Sequence, residues 1–328
     1  MANGFINNDF TADGNITGTT LFGTTFDTNV AAAGITLSGT TLAADGTDAN
    51  ILITLTPKGT SPVYLNGKLG IGTNAVPHGA IGGALVALEG ANASVSAGPH
   101  MQFTTASDDY PLMQIFPYAH NDMHYLFDSY YDGAFKSSSS SCNFRISKSS
   151  TSLNIASEEG IAAGSVATFQ NDLIIDKAGY VNKPLQPAFC AYNSATDQDV
   201  TGDGTTYTLI YDTELYDQNS DYNNGTGTFT APIGGKFLFT ITTTLLSVNG
   251  FGLTTMNLVT SDDTIRFNYV NVSSSTSSNA HAISGSTVVD MDSADTAIIQ
   301  INVSGGTKTV DVEGSGGTKS LFSGTMLC

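Results

Sequence analysis

Large apolar residues recur at every second position in short stretches along the whole chain. The clearest examples are Ile51, Ile53 and Leu55; Tyr207, Leu209 and Tyr211; and Phe237, Phe239 and Ile241. Gly, Pro and Asn bound these stretches, and long runs at helical spacing are missing. A period of two bounded by turn residues is typical of β-strands. The pattern therefore predicts an almost entirely β protein.

Residues 1–75 form the first predicted region, an N-terminal attachment and shaft segment. An irregular repeat places one large apolar residue after Gly-Thr-Thr, at Leu21, Phe26 and Leu42. Strands this short, with so few large residues, cannot build a core within one chain, but three chains wound about a common axis bury their apolar faces. The run ILITLTPKGTSPVYLNGKLGIGT at residues 51–73 resembles the shaft segments of viral and phage tail fibres, which implies a fibrous, β-prism-like trimer. A flexible Gly/Thr linker is the alternative.

Residues 76–186 form the second predicted region, a β-rich middle domain. Aromatic residues are densest here, at Tyr110, Phe116, Tyr118, Tyr125, Phe127, Tyr130, Tyr131 and Phe135. Because aromatic side chains bury large areas, we expect this block to form the core of a separate domain.

Residues 187–328 form the third predicted region. The stretch GTFTAPIGGKFLF at residues 227–239 predicts two strands joined at a tight corner, since Pro232 lacks the N–H that a strand interior needs. An Asn before Gly-x-Phe-x-x-Pro, leading into Gly-x-Tyr-x-Phe, is the signature of the C1q/TNF-like jelly roll. This stretch resembles that signature, with Phe237 where Tyr is commoner. The resemblance implies a two-sheet sandwich that assembles as a homotrimer.

The net charge of the chain limits the classes of partner that it is expected to bind. Only 12% of its 328 residues are charged, and the formal net charge is −18. This charge repels phosphate backbones and anionic lipid, so we expect neither nucleic-acid binding nor membrane insertion. The N-terminal residues lack the basic region and apolar core of a secretory signal. Cys142, Cys190 and Cys328 are far apart without metal-ligand spacing, which favours synthesis in a reducing cytoplasm.

An acidic, Asn-rich loop just before the jelly-roll signature carries the candidate site residues. Asp217, Asn219 and Asp221 offer the oxygen ligands that Ca²⁺ takes. The alternative is a solvated loop that shares the general acidity of the chain. Tyr216, Asn219 and Tyr222 are the predicted receptor contacts, because exposed aromatic and amide groups stack on sugar rings and hydrogen-bond to their hydroxyls.

The sequence contains little that indicates a catalytic site or a metal site. His120 and His124 share one face if they lie on a strand, but about 13 Å apart, which is too far for one metal ion. We therefore expect a structural or surface role for them, with zinc as the alternative. The chain contains no Gly-x-Ser-x-Gly elbow, no His-Glu-x-x-His and no phosphate loop. The prediction is that the protein is not an enzyme.

The predicted fold is all-β, with a trimeric shaft, a β-rich middle domain and a C1q/TNF-like jelly-roll head. The predicted function is that of a virion fibre or spike, assembled in the host cytoplasm. Its N-terminal region contacts other virion proteins, and its head binds a glycan or protein receptor on the host surface. The alternatives are a cellular C1q-like lectin or adhesin and a polysaccharide depolymerase. A depolymerase usually places its carboxylates on a long parallel β-helix, for which the chain has no repeat long enough.

Overall fold

The chain divides into two compact units, Met1–Ala87 and Leu88–Cys328. The structure is a computed structural model that describes residues 25–27, 34–38, 41–45, 52–56, 63–74, 76, 83–274, 279–314 and 319–328. These residues form β-strands and one short 3₁₀ helix, Val272–Ser274, and the described ranges contain no α-helix. None of their helical segments has the length or apolar character that crossing a bilayer requires. The all-β prediction is confirmed, and the boundaries predicted near residues 75 and 186 stay predictions.

The first unit contains short strands. Three of them, Thr25–Asp27 (β1), Gly34–Ser38 (β2) and Thr41–Asp45 (β3), form an antiparallel sheet in that order. Leu69–Ile71 (β4) pairs with Val86–Leu88 (β5).

The strand predicted from the alternation at residues 51–55 is wrong. Residues 52–56 form no strand, and Ile51 lies outside the described residues. A strand needs a neighbour with which to exchange backbone hydrogen bonds, and no neighbour pairs with this segment in the described part of the single chain. Leu55 is exposed there. The trimeric shaft stays a prediction, and Leu21 of its Gly-Thr-Thr repeat also lies outside the described residues.

The second unit begins with a seven-stranded antiparallel sheet, here called the middle sheet. Its strands and the hairpin beside it are Met101–Phe103 (β6), Met113–Ala119 (β7), Asp122–Phe127 (β8), Ser129–Tyr131 (β9), Phe135–Ser137 (β10), Cys142–Lys148 (β11), Ser152–Glu159 (β12), Gln170–Asp176 (β13) and Val181–Asn182 (β14). The sheet order is β14-β13-β12-β11-β8-β7-β6, and β9 and β10 pair separately.

The β9–β10 hairpin covers one face of the middle sheet. The Tyr131 ring lies 4.7 Å from that of Phe116 on β7, and the Phe135 ring lies 5.0 Å from that of His124 on β8. Phe116 is buried as predicted, but Tyr125 and Phe127 are exposed. The expectation that the whole aromatic block forms the core is therefore wrong, because strand alternation sends Tyr125 and Phe127 to the face opposite the hairpin.

The rest of the second unit is a two-sheet sandwich. Its strands are Ala188–Tyr192 (β15), Asp197–Thr201 (β16), Thr206–Thr208 (β17), Thr213–Asp217 (β18), Tyr222–Asn223 (β19), Thr228–Thr230 (β20), Gly235–Leu246 (β21), Leu253–Thr260 (β22), Thr264–Asn271 (β23), Ala280–Met291 (β24), Thr296–Val303 (β25), Val310–Val312 (β26) and Leu321–Met326 (β27). One sheet, called the β21 sheet, runs β16-β26-β21-β27-β15-β18, with β24 also paired to β21. The other, called the β25 sheet, runs β19-β20-β25-β22-β23, with β17 also paired to β25.

The predicted corner within residues 227–239 is confirmed and carries the chain from one sheet to the other. β20 belongs to the β25 sheet and β21 to the β21 sheet. The rings of Phe229 and Phe239 lie 5.5 Å apart between the sheets, and both are buried. Alternate residues of the long strand β21 point into this core, as its sequence pattern predicts.

Candidate functional site

The acidic loop that connects β18 and β19 is a hydrogen-bonded turn. Asp217 ends β18, and its carboxylate accepts the backbone N–H of Asp221 at 3.1 Å and that of Tyr222 at 3.0 Å. Both carboxylate oxygens of Asp217 are thus used to close the turn. An Asp that bonds to backbone N–H groups a few residues on is a common turn-forming device.

The predicted calcium ligands do not form an open set of oxygen atoms. The Asn219 amide donates to both carboxylate oxygens of Asp221 at 3.4 Å. Burial raises the pKa of Asp221, which opposes the ionised form that a cation needs. Among the described residues, no group of three or more His, Cys, Asp or Glu is placed to hold a metal ion. These residues do not fit a calcium ion, and no calcium chemistry is derived from them.

Tyr222 lies in the sandwich core. Its side chain is 4% exposed, its ring stacks on that of Phe189 at 4.7 Å, and its hydroxyl donates to the Tyr211 carbonyl oxygen at 3.2 Å. Burial raises its pKa well above the ordinary value. The exposure expected of Tyr222 is therefore wrong, and the residue cannot stack on a sugar. The missed signal is its register opposite Phe229 across the Asn-Gly turn, which makes the pair part of one core.

Tyr216 and Asn219 are accessible at the edge of the β21 sheet. Tyr216 is 54% exposed on the edge strand β18, opposite Cys190 in register, and Leu215 beside it is also exposed. Asn219 is exposed in the turn that follows. Two of the three predicted receptor contacts therefore lie at the surface, next to an apolar side chain.

His120 and His124 occupy different environments. His120 is exposed in the turn between β7 and β8, whereas His124 is buried on β8 and hydrogen-bonds to the Asp122 carboxylate at 2.5 Å. Burial lowers the pKa of His124, and Asp122 acts against that shift. His124 contacts Phe116 and Phe135, so its surroundings are aromatic and it serves the core of the middle sheet.

The outer face of the β21 sheet carries an uncharged surface that the sequence pattern did not reveal. Strand register aligns outward residues of β24, β21, β27 and β15 in three rows. The rows are Ser284–Thr242–Leu321–Tyr192, Ser286–Thr240–Ser323–Cys190 and Val288–Leu238–Thr325–Ala188. None of these side chains carries a charge at neutral pH; burial raises the pKa of the Cys190 thiol, which keeps it protonated.

Charged side chains border this surface at its two ends. The Lys236 ammonium lies 3.6 Å from the Asp290 carboxylate at one end, and Asp311 stands opposite Leu246 at the other. The surface joins four strands that are distant in sequence, so no local pattern reveals it. We call these three rows the uncharged rows.

Comparisons with known proteins agree with the sandwich. Residues 188–327 match the family described as C1q domain, and a C1q/TNF-like jelly roll therefore occupies the C-terminal part of the chain. A comparison with curated protein sequences found no match.

Similar solved structures include the globular domain of zebrafish complement 1qA protein, at 17% identity over 44% of this chain and 98% of that one, with a TM-score of 0.31. Murine APRIL gives 7% identity over 43% and 99%, with a TM-score of 0.32. The Eiger TNF structure from S. frugiperda gives 10% identity over 44% and 94%, with a TM-score of 0.31.

Proposed function

We propose that this protein is a trimeric, non-enzymatic attachment protein of a virus particle, whose C-terminal jelly roll binds a receptor on the host-cell surface. The observation that carries the proposal is the set of uncharged rows on the β21 sheet. A chain with a net charge of −18 presents only hydroxyl, thiol, phenol and aliphatic groups there. Copies meet at such a surface without like-charge repulsion and without removing an ion from water.

The residue types in the uncharged rows suit contact around an axis. Val288 and Leu238 supply apolar area in one row, and Leu321 does so in another, while Thr240 and Ser323 in the middle row supply hydroxyls that can bond across copies. Hydroxyls satisfy one another with little desolvation cost compared with charged pairs. The C1q match over residues 188–327 supports a trimer, because the resemblance implies one.

Receptor contact is proposed at the rim of this surface. Tyr216, Leu215 and Asn219 combine an aromatic ring, an aliphatic side chain and an amide on one exposed edge. Rings of this kind stack on sugars or on apolar protein groups. Three such rims on one trimer raise the effective affinity for a surface that carries many receptors.

The viral part of the proposal is supported by the resemblance of residues 51–73 to tail-fibre shafts. In this proposal the N-terminal region contacts other virion proteins, and the protein is assembled in the host cytoplasm. A cellular C1q-like lectin or adhesin is the second candidate, which the C1q match favours equally. A capsid or baseplate gene beside the coding gene supports the virus; its absence, with a cell-surface gene neighbourhood, supports the lectin.

The solution mass of the full chain tests the trimer. Light scattering should give three times the chain mass of 34.0 kDa. Thr240→Lys places like charges in the middle row and should weaken the trimer at least tenfold. Thr264→Lys, at an exposed position on β23 of the other sheet, is the matched control and should leave it unchanged. A wild-type mass of 34.0 kDa at all concentrations would refute the proposal.

Binding to host cells or a glycan array tests the receptor rim. Tyr216→Ala should reduce binding at least tenfold, because it removes a partly exposed aromatic contact repeated on three copies. Tyr269→Ala changes an even more exposed tyrosine on β23 of the other sheet, and serves as control. Equal binding by the two variants would remove Tyr216 from the site.

A further inference from the structure

The middle sheet leaves one of its two faces open, and that face is apolar across six strands. The register defines three rows on it. They are Met101–Ile115–Tyr125–Ile146–Ile155–Leu173, Phe103–Met113–Phe127–Phe144–Ser157–Gln170 and Pro117–Met123–Lys148–Leu153–Ile175–Val181. The first row contains no charge and no polar group except the Tyr125 hydroxyl. We call these rows the open face.

The two faces of the middle sheet have the opposite polarity to that expected of a chain that packs alone. On β8 the exposed positions are Met123, Tyr125 and Phe127, whereas the covered positions include His124, which is buried under the β9–β10 hairpin. On β11 the covered side holds the buried Asn143. A chain that packs alone places its apolar side chains inside. Here the more apolar face is the one that the chain leaves uncovered.

The open face is larger than the apolar patches of ordinary monomers. Eight of its large side chains are between 36% and 48% exposed: Met101, Phe103, Met123, Tyr125, Phe127, Phe144, Leu153 and Ile155. At roughly 200 Å² for a fully exposed large side chain, they present about 650 Å² together. The largest patch on a typical monomer is about 300–600 Å². With the more exposed Val181 and the half-buried residues of the rows, the face approaches the ~800 Å² per partner of a stable protein interface.

The charge distribution favours copies of this chain as the occupant. The open face carries Lys148 at one end, and Glu159, opposite Cys142 in register, lies at the other. Between these ends the central row is uncharged. Because each copy has a net charge of −18, two copies repel one another through most of their surface. The open face is a broad area where that repulsion is absent and apolar area is gained.

We propose that the open face packs against the open faces of further copies of this chain. The stoichiometry rests on the trimer proposed above, while the apolar face itself is independent of the jelly roll. Seven strands at about 4.8 Å spacing make a wall ~29 Å wide, and three such walls enclose a column whose centre is about 8 Å from the middle of each wall. Tyr125, Phe127 and Phe144, on the central strands β8 and β11, reach toward that centre. Mostly aliphatic side chains on the outer strands occupy the corners, where two walls converge.

Hydroxyl-radical footprinting of the full chain measures directly whether the open face is accessible to solvent. Tyr125 and Tyr180 are 48% and 75% exposed in the single chain. If the open face is uncovered, these fractions predict that Tyr180 is labelled only about 1.6 times faster than Tyr125. If copies cover it, Tyr180 should be labelled at least five times faster, and dilution to the monomer should return the ratio to about 1.6.

Two variants and the solution mass of the full chain complete the footprinting test. Tyr125→Glu should raise the labelling of Phe127 and Phe144 several-fold, and Tyr180→Glu, the matched control, should not. A Tyr180 to Tyr125 ratio near 1.6 at a concentration where the mass is a multiple of 34.0 kDa would overturn the proposal. Protection of Tyr125 in a chain of 34.0 kDa would overturn it too, because a segment of the same chain would then cover the face.

The jelly-roll interface is read separately in the same experiment. Val288 lies in the uncharged rows and Val166 outside both surfaces, and both valines are exposed in the single chain. Slow labelling of Val288 relative to Val166 supports the trimer contact proposed for the β21 sheet. Equal labelling of the two valines, with Tyr125 protected, would refute that contact and leave the open-face proposal intact.

Discussion

Replacing Gly227 by Ala tests whether the hairpin turn between β19 and β20, just before the corner between the two sheets of the jelly roll, depends on a glycine. Gly227 precedes β20, has a φ of +70° and donates its N–H to the Asn223 carbonyl oxygen at 2.9 Å. A Cβ atom at this position would lie 2.3 Å from the Leu209 carbonyl oxygen and 3.2 Å from the Ile210 Cα. Both neighbours are backbone atoms, so no side-chain rotation relieves the contact.

The expected loss of stability combines two costs. The left-handed conformation costs a non-glycine residue roughly 1–2 kcal/mol. Relief of the clash requires a shift of Leu209, whose side chain is fully buried and whose N–H donates to the Ile299 carbonyl oxygen at 2.9 Å. Weakening that buried hydrogen bond and the packing around it costs about 2 kcal/mol more. The total is about 3 kcal/mol, which lowers the Tm of a domain of this size by roughly 6–12 °C.

Urea and thermal unfolding followed by near-ultraviolet circular dichroism measure this loss through the buried tyrosines. Gly250→Ala is the matched control, because Gly250 has a φ of +81° and no atom within 4 Å of the added Cβ. It should lose only the conformational cost, roughly 1–2 kcal/mol. Equal losses in the two variants would show that the Leu209 contact yields freely, and the reasoning from the clash would be refuted.

Two further predictions concern buried polar groups. Burial lowers the pKa of His124 below 6.5 despite the Asp122 carboxylate, so below that pH the unfolded chain binds a proton that the folded chain excludes. The free energy of unfolding should therefore fall as the pH drops from about 6.5 through the pKa of the folded state. This loss should be smaller in His124→Gln. Urea unfolding at pH 7.5 and 5.5 checks this, and an identical pH dependence in wild type and variant would contradict it. The Tyr211 hydroxyl hydrogen-bonds to the Thr243 hydroxyl at 2.8 Å in the core, so Tyr211→Phe should lose about 1–2 kcal/mol by leaving Thr243 unpaired. The double variant with Thr243→Val should recover part of that loss, and a larger loss in the double variant would argue against the pairing.

The jelly roll could be predicted from sequence because its signals are local. The turn residues around Pro232 and the alternation of Phe237, Phe239 and Ile241 define two strands and the face that each side chain takes. The strand predicted at residues 51–55 failed under the same rule. Alternation reports that a segment is able to pair, but a strand exists only where another segment supplies the hydrogen bonds.

The candidate site could be predicted only in part, because exposure depends on contacts that are distant in sequence. Tyr216 and Tyr222 flank the same acidic, Asn-rich loop, on β18 and β19, and nothing in the local sequence separates them. Tyr222 is buried because its partners Phe189 and Phe229 approach from two other strands. Tyr216 stays exposed because β18 is an edge strand. The uncharged rows were missed for the same reason, since they join four strands separated by loops.

The middle sheet shows a further limit of alternation. A period of two predicts which side chains share a face, but it does not predict what covers that face. Alternation along β8 puts Met123, Tyr125 and Phe127 on one face, although aromatic side chains are expected inside. The chain instead uses its β9–β10 hairpin to cover the face that contains His124 and Asn143. Some polar groups of that face find partners within the chain, as His124 does with Asp122 and Asn143 with the Ser137 hydroxyl, whereas an apolar face needs only a matching surface. A fold in which the specific contacts are made internally and the unspecific apolar area is left outside is the arrangement expected of a subunit whose folding is completed by its own copies.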